Sequence, residues 1–144
     1  MLTLRELREI CITVYNKKPT LRTLLLAAVV HDQSELTQLV SDIPYPLGNL
    51  KNILIRSFEP VAEEESLILE IIKSERKPND LHLFLLLCRK KSKLRDELED
   101  SGLNIEKFSL ILSRRILEEG RKHTLLPSND LDFILTNLTQ SRVN

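Results

Sequence analysis

An all-α fold made of two related four-helix units is predicted by three observations. The composition favours helix over sheet: Leu, Ile, Glu, Lys and Arg dominate, aromatic residues amount to 4%, and glycine occurs only at positions 48, 102 and 120. Apolar residues recur at helical spacing, and no segment keeps up the alternation of a half-buried strand. The chain also repeats itself. Lys18-Pro19 is answered by Lys77-Pro78 at a spacing of 59 residues, and Ile10/Leu69, Ile12/Ile71, Leu24/Leu83, Leu25/Phe84, Leu26/Leu85, Val29/Cys88 and Leu39/Leu98 fall on the same spacing. After one deleted residue the match resumes at 58, pairing Leu47/Ile105, Leu50/Phe108, Ile53/Ile111 and Leu54/Leu112. Repetition of this kind marks units that bury apolar faces against one another.

The elements follow in order. Thr3 and Glu6 form a capping-box signature, and Leu4, Leu7, Cys11 and Val14 share a face of a first helix reaching about Asn16. Pro19 permits a new first turn, and Leu21 to Val30 is almost wholly apolar, as suits a helix surrounded by neighbours. Leu36, Leu39, Val40 and Ile43 make a third helix, stopped by Pro44, Tyr45 and Pro46; Leu47, Leu50, Ile53, Leu54 and Phe58 make a fourth. Pro60 opens the second cycle, where Glu63, Glu64 and Glu65 suit a helix N-terminal dipole and Leu67, Ile68, Ile71 and Ile72 form the expected buried face. Asp80 to Arg89 is the second apolar helix. Leu94 and Leu98 belong to the next, Gly102 sits where a left-handed cap is expected, and Asn104 caps a helix running through Phe108, Ile111, Leu112 and Ile116. A ninth helix is expected from the stripe Leu131, Ile134, Leu135 and Leu138 after the start signal Pro127 to Asp130. Connections are too short to be domain linkers, so the expectation is one domain over 1–144, with a first repeat at about 2–58, a second at about 60–118 and an extra helix at about 128–139.

With 21 basic and 21 acidic side chains the formal charge is zero, so no global field draws the chain to nucleic acid or to an anionic membrane. Cys11 and Cys88, each inside an apolar helical run, are expected as buried free thiols of a reducing compartment. The N-terminus lacks the basic start, long apolar stretch and cleavage site of a secretory signal, and no run approaches the ~20 apolar residues of a membrane span. A cytoplasmic protein is the expectation, with a mature organellar form as the alternative.

The segment Asn79 to Leu87 (NDLHLFLLL), followed by Ser92 to Asn104 (SKLRDELEDSGLN), resembles the Clp repeat at the N-terminus of Clp-type AAA+ unfoldases, and Pro19 to Val29 (PTLRTLLLAAV) is similar to the same repeat start. That family sets an apolar xHLLLALL helix before a helix ending in glycine. The resemblance covers about residues 4 to 118. It implies two pseudo-symmetric four-helix units and a surface that receives adaptors or substrates for regulated proteolysis, and free-standing versions dock onto Clp ATPase or peptidase subunits. The chain departs from the pattern where Ile43, Pro44, Tyr45 and Pro46 replace the glycine closing the third helix, and where the first helix is shorter.

No catalytic site is expected. There is no phosphate loop of the GxxxxGK[ST] type, hence no ATPase engine. His31, His82, His123, Cys11 and Cys88 lack paired metal-ligand spacing, so neither zinc nor another cofactor is expected, and His82 reads as a packing or capping residue. Nothing frames a nucleophile. Two features are candidates for protein binding. The basic run Arg89, Lys90, Lys91, Lys93 and Arg95 reads either as a patch for an acidic partner or as a solvated loop whose cations suit a helix C-terminus and pair with the following acids. Tyr45 between two prolines reads either as an exposed contact on a rigid loop or as a side chain packed over the end of the third helix. The function expected is protein binding without chemistry. A homotypic helical adaptor of the death-fold type is the first alternative, and a nucleic-acid-binding helical protein using Arg89 to Arg95 the second.

Overall fold

A computed structural model describes residues 1–56 and 59–125, with side chains described as far as residue 120. Eight helices and no extended strand occur among the described residues, and no helix is long and apolar enough to cross a membrane. The chain divides into two compact units, Met1–Leu112 and Ser113–Asn144. The expected ninth helix lies outside the described residues.

The first four helices are α1 (Leu4–Thr13), α2 (Leu21–His31), α3 (Gln33–Leu39) and α4 (Leu47–Leu54). The capping box forms as the sequence predicts: Glu6 N donates to Thr3 Oγ1 at 3.1 Å while Thr3 N donates to Glu6 Oε1 at 2.9 Å. Leu4, Leu7 and Cys11 are buried on α1, but the helix stops at Thr13, short of the expected Asn16. Asn16 takes the left-handed conformation (φ 52°) that reverses the chain, and Val14, expected on the buried face, is 59% exposed. Helix α2 is the hub, touching α1, α3, α4, α5 and α6. Burial on all sides explains its uniform run of apolar residues from Leu24 to Val29.

The next four are α5 (Ala62–Ser74), α6 (Asp80–Arg89), α7 (Lys93–Asp100) and α8 (Ile105–Leu125). Their starts follow those of the first four at offsets of 58, 59, 60 and 58 residues. Leu24/Leu83, Leu25/Phe84, Val29/Cys88, Leu39/Leu98, Leu50/Phe108 and Leu54/Leu112 are each buried at both positions. Phe84 and Phe108 pack edge to face, centroids 5.8 Å apart. Helix α6 opens on a second reciprocal cap, in which His82 N donates to Asn79 Oδ1 at 3.1 Å and Asn79 N donates to His82 Nδ1 at 3.2 Å. Helix α7 closes on Gly102 at φ 107°: Leu103 N donates to Leu98 O and Gly102 N to Glu99 O, both bonds of a Schellman cap, with Leu98 and Leu103 buried beside it.

Two polar junctions join these sets of helices. At the first, Leu4 N donates to Pro78 O and Asp80 N to Leu2 O, pairing the chain before α1 with the chain before α6. The second is ionic and buried. Arg22 of α2 donates through Nε and Nη2 to both carboxylate oxygens of Glu64 on α5, at 3.2 and 3.1 Å, and Nη2 also donates to Glu97 of α7 at 2.9 Å. The neighbours of Glu64 point elsewhere: Glu65 Oε2 accepts from Leu21 N, the first residue of α2, and Glu63 Oε1 accepts from Lys93 N, the first residue of α7. The acidic turn expected to serve its own helix dipole therefore serves the N-termini of two other helices as well.

Arg22→Met should cost about 3 kcal/mol, because Glu64 is left buried without its partner, whereas adding Glu64→Leu should recover much of that loss; urea midpoints at constant m-value read both. Gly102→Ala should cost about 1 to 2 kcal/mol by the same measurement, from left-handed strain alone, since a Cβ there would meet nothing within 4 Å.

Candidate functional site

The residues singled out from sequence are mostly engaged in structure. Tyr45 is 7% exposed, so it is no exposed loop contact; its hydroxyl and Ser101 Oγ lie 2.6 Å apart, tying the loop after α3 to the end of α7. That is the packing alternative, with the added cross-link. Arg95 reaches back to donate through Nε to Cys88 O at 2.8 Å, supplying a charge to the C-terminal end of α6. Lys90 pairs with Glu70 of α5 at 3.6 Å. Lys91 and Lys93 are exposed, as is Arg89, and Lys93 gives only its backbone N–H, to Glu63. Within the run, Arg95 and Lys90 thus make helix-end and inter-helix contacts, as the solvated-loop alternative has it.

The groups with chemical potential are held unreactive. Cys11 and Cys88 are both buried and free. Burial pushes the Cys88 thiol up to about 12 despite Arg95 and Arg89, and burial also raises Cys11. Neither is a thiolate near neutral pH. Burial lowers the pKa of His82, with Glu75 at 3.5 Å from Nε2 acting against it, which keeps Nδ1 an acceptor for its cap. Among the described residues no group of three or more His, Cys, Asp or Glu is placed to hold a metal ion.

An acidic cluster lies where α2, α6 and the N-terminal residues meet. The Met1 amino group is 2.6 Å from Glu35 and 3.6 Å from Asp32, and Leu2 N donates to Asp80 Oδ2 at 3.5 Å. Asp80 is fully buried, and its Oδ1, like Asp32 Oδ2, has no hydrogen-bond partner when both are ionised. Burial, then the hydrogen bond and charge of Asp32, push Asp80 up to about 8, so the Asp80 carboxyl is largely protonated at neutral pH. Its role is to hold the N-terminal segment against α6.

One open surface feature combines exposed apolar side chains with a basic rim. A groove of about 740 Å³ runs between α1 and α5, its apolar part formed by Leu4, Ile12 and Ile72. Ile12 is 55% and Ile72 47% exposed, although Ile72 was expected in the core. The reason lies in the helix period: Glu64, Leu67 and Ile71 face inward, and Ile72 sits about 100° further round. Leu69, one turn earlier on the outward side, is 57% exposed and extends the apolar stripe. Arg5, Arg8, Arg76 and Lys77 surround the groove with Glu9 as its single acid. All four cations are exposed, and none makes an ion pair among the described residues. Sequence inspection passed them over because they lie in two short stretches 70 residues apart, while the conspicuous basic run was contiguous.

The fold and this groove define an all-α protein with an uncovered, basic-rimmed apolar surface. Comparison with protein-family models, with curated proteins and with solved structures returns no match for this chain.

The buried Asp80 carboxyl makes a pH prediction. Its folded pKa lies far above the ~3.9 of an unfolded aspartate, so folding keeps a proton that the unfolded chain releases, and stability falls as pH rises from about 4 towards 8. Asp80→Asn should therefore gain stability relative to the parent across that window, on the order of a few kcal/mol at its upper end. Melting temperatures between pH 4 and 8 test it, and parallel curves for the two proteins would refute it.

Proposed function

We propose that this chain is a non-enzymatic protein-binding module of the Clp N-terminal type, built from two duplicated four-helix units and receiving adaptors or substrates in regulated proteolysis or protein quality control. One observation carries the reading: folding leaves aliphatic side chains of α1 and α5 uncovered, inside a groove ringed by unpaired cations. Exposed apolar patches rimmed by polar groups are the mark of protein interfaces. The reading is further supported by helix starts that recur at 58 to 60 residues, by the equivalent pairs Leu24/Leu83, Leu25/Phe84, Val29/Cys88, Leu39/Leu98, Leu50/Phe108 and Leu54/Leu112 buried at both positions, although Ile12 is exposed where Ile71 is buried, and by thiols that burial holds protonated. The resemblance of Asn79 to Asn104 to the Clp repeat supplies the biological setting, and the absence of a phosphate loop from the sequence puts any motor on a different chain or segment.

Affinity capture from the native cell, with the full chain as bait, should recover a Clp-type ATPase, a Clp peptidase or one of their substrates. Recovery of nucleic acid alone, or of a receptor bearing a similar helical domain, would overturn the reading.

A further inference from the structure

We propose that the α1/α5 groove receives an acidic amphipathic helix from a partner protein. This deepens the protein-binding reading and rests on it, but it requires nothing of the Clp setting. Charge gives the partner its sign. Four cations, Arg5, Arg8, Arg76 and Lys77, face one acid, Glu9, in a chain whose formal charge is zero, so the groove is a local positive field on a neutral molecule. Two further acids lie close by, Glu6 in the cap of α1 and Glu75 against His82, and neither lines the groove.

The apolar part gives the partner its second property. Ile12 and Ile72, with Leu69 one turn along, offer aliphatic contacts for anchors spaced at i, i+3 and i+7 on an incoming helix. An extended peptide has no edge to join. Among the described residues there is no strand beside the groove, Leu4 N is already paired with Pro78 O, and Pro78 carries no N–H. The floor and rim are side chains of α1, α5 and the turn after α5, so an occupant that satisfies its own backbone fits best, which a helix does. A nucleic acid would meet the cations but would leave the isoleucines facing phosphate, and no aromatic side chain lines the groove to stack a base.

The experiment uses the full chain and a labelled helical peptide of about four turns, with Leu along one face and Glu along the other, read by fluorescence anisotropy. Its controls are the same peptide with every Glu replaced by Lys, one with its Leu face replaced by Ser, a duplex oligonucleotide and anionic phospholipid vesicles. Saturable binding of the acidic peptide is expected. It should weaken about tenfold in Arg8→Glu/Arg76→Glu, about tenfold in Ile12→Ser/Ile72→Ser, and on raising salt from about 50 to about 300 mM. All four positions are exposed, and circular dichroism verifies that the variants keep their helices. Failure of the acidic peptide to bind, equal binding of the Lys peptide, or unchanged binding by the charge-reversed variant would overturn the proposal. Direct binding of the oligonucleotide or the vesicles, lost in Arg8→Glu/Arg76→Glu and with no binding of the acidic peptide, would assign the groove to those ligands instead. If the charge-reversed variant still captures the same cellular proteins as the parent, this proposal falls while the protein-binding reading stands.

Discussion

One guanidinium ties α2, α5 and α7 together. Arg22 stands second in the most apolar helix of the chain, with a side chain only 5% exposed, and it reaches carboxylates on α5 and α7. A buried ion pair gains little net stability over well-packed apolar groups, because removing both charges from water offsets most of their attraction. Its value lies in selection: few other arrangements of α2, α5 and α7 give Arg22 two carboxylates and give Glu64 both nitrogens of one fork. Glu63 and Glu65 extend the same logic, each taking up an N–H at the start of a different helix. Three consecutive acids thus fix the position of α5 against two neighbours.

The groove follows from that constraint. Once Glu64 is turned inward to Arg22, the helix period carries Leu67 and Ile71 in with it and leaves Leu69 and Ile72 outside. Helix α1 is fixed independently, by Leu4, Leu7 and Cys11 beneath it and by the backbone pairing of residues 2 to 4 with residues 78 to 80. The same pairing brings Arg76 and Lys77 beside Arg5 and Arg8. Residues with no sequence relation become one surface because the chain before α1 and the chain before α6 share hydrogen bonds.

Much of the secondary structure was legible beforehand, and for a common reason. The caps at Thr3 with Glu6, Gly102 and Asn104 are hydrogen bonds between residues three to five apart, so their chemistry is spelled out within a short window, whereas His82 was read only as a packing or capping residue and its partner Asn79 not at all. The helices they start and stop fall close to the expected limits. Errors gathered where local pattern met a change of direction: Val14 was assigned to a face that the turn at Asn16 removes, and Ile72 to a core that extends round α5 less far than a run of apolar residues suggests. The candidate site was legible only in its parts. Tyr45 attracted notice for its prolines and turned out to be buried against Ser101, while the groove cations attracted none.

By itself the sequence determined a helical chain, its internal spacing of 59 and then 58 residues and most of its local caps, because those depend on composition, on period and on hydrogen bonds closed within one turn. Tertiary structure alone decided which acids meet Arg22, why Asp80 keeps a proton, and which isoleucines stay in water. Those outcomes turn on groups brought within a few ångströms from positions as far apart as 22 and 97, or 2 and 80. Charge desolvation and burial act through distance in space, and no short-range pattern in a single chain encodes that distance.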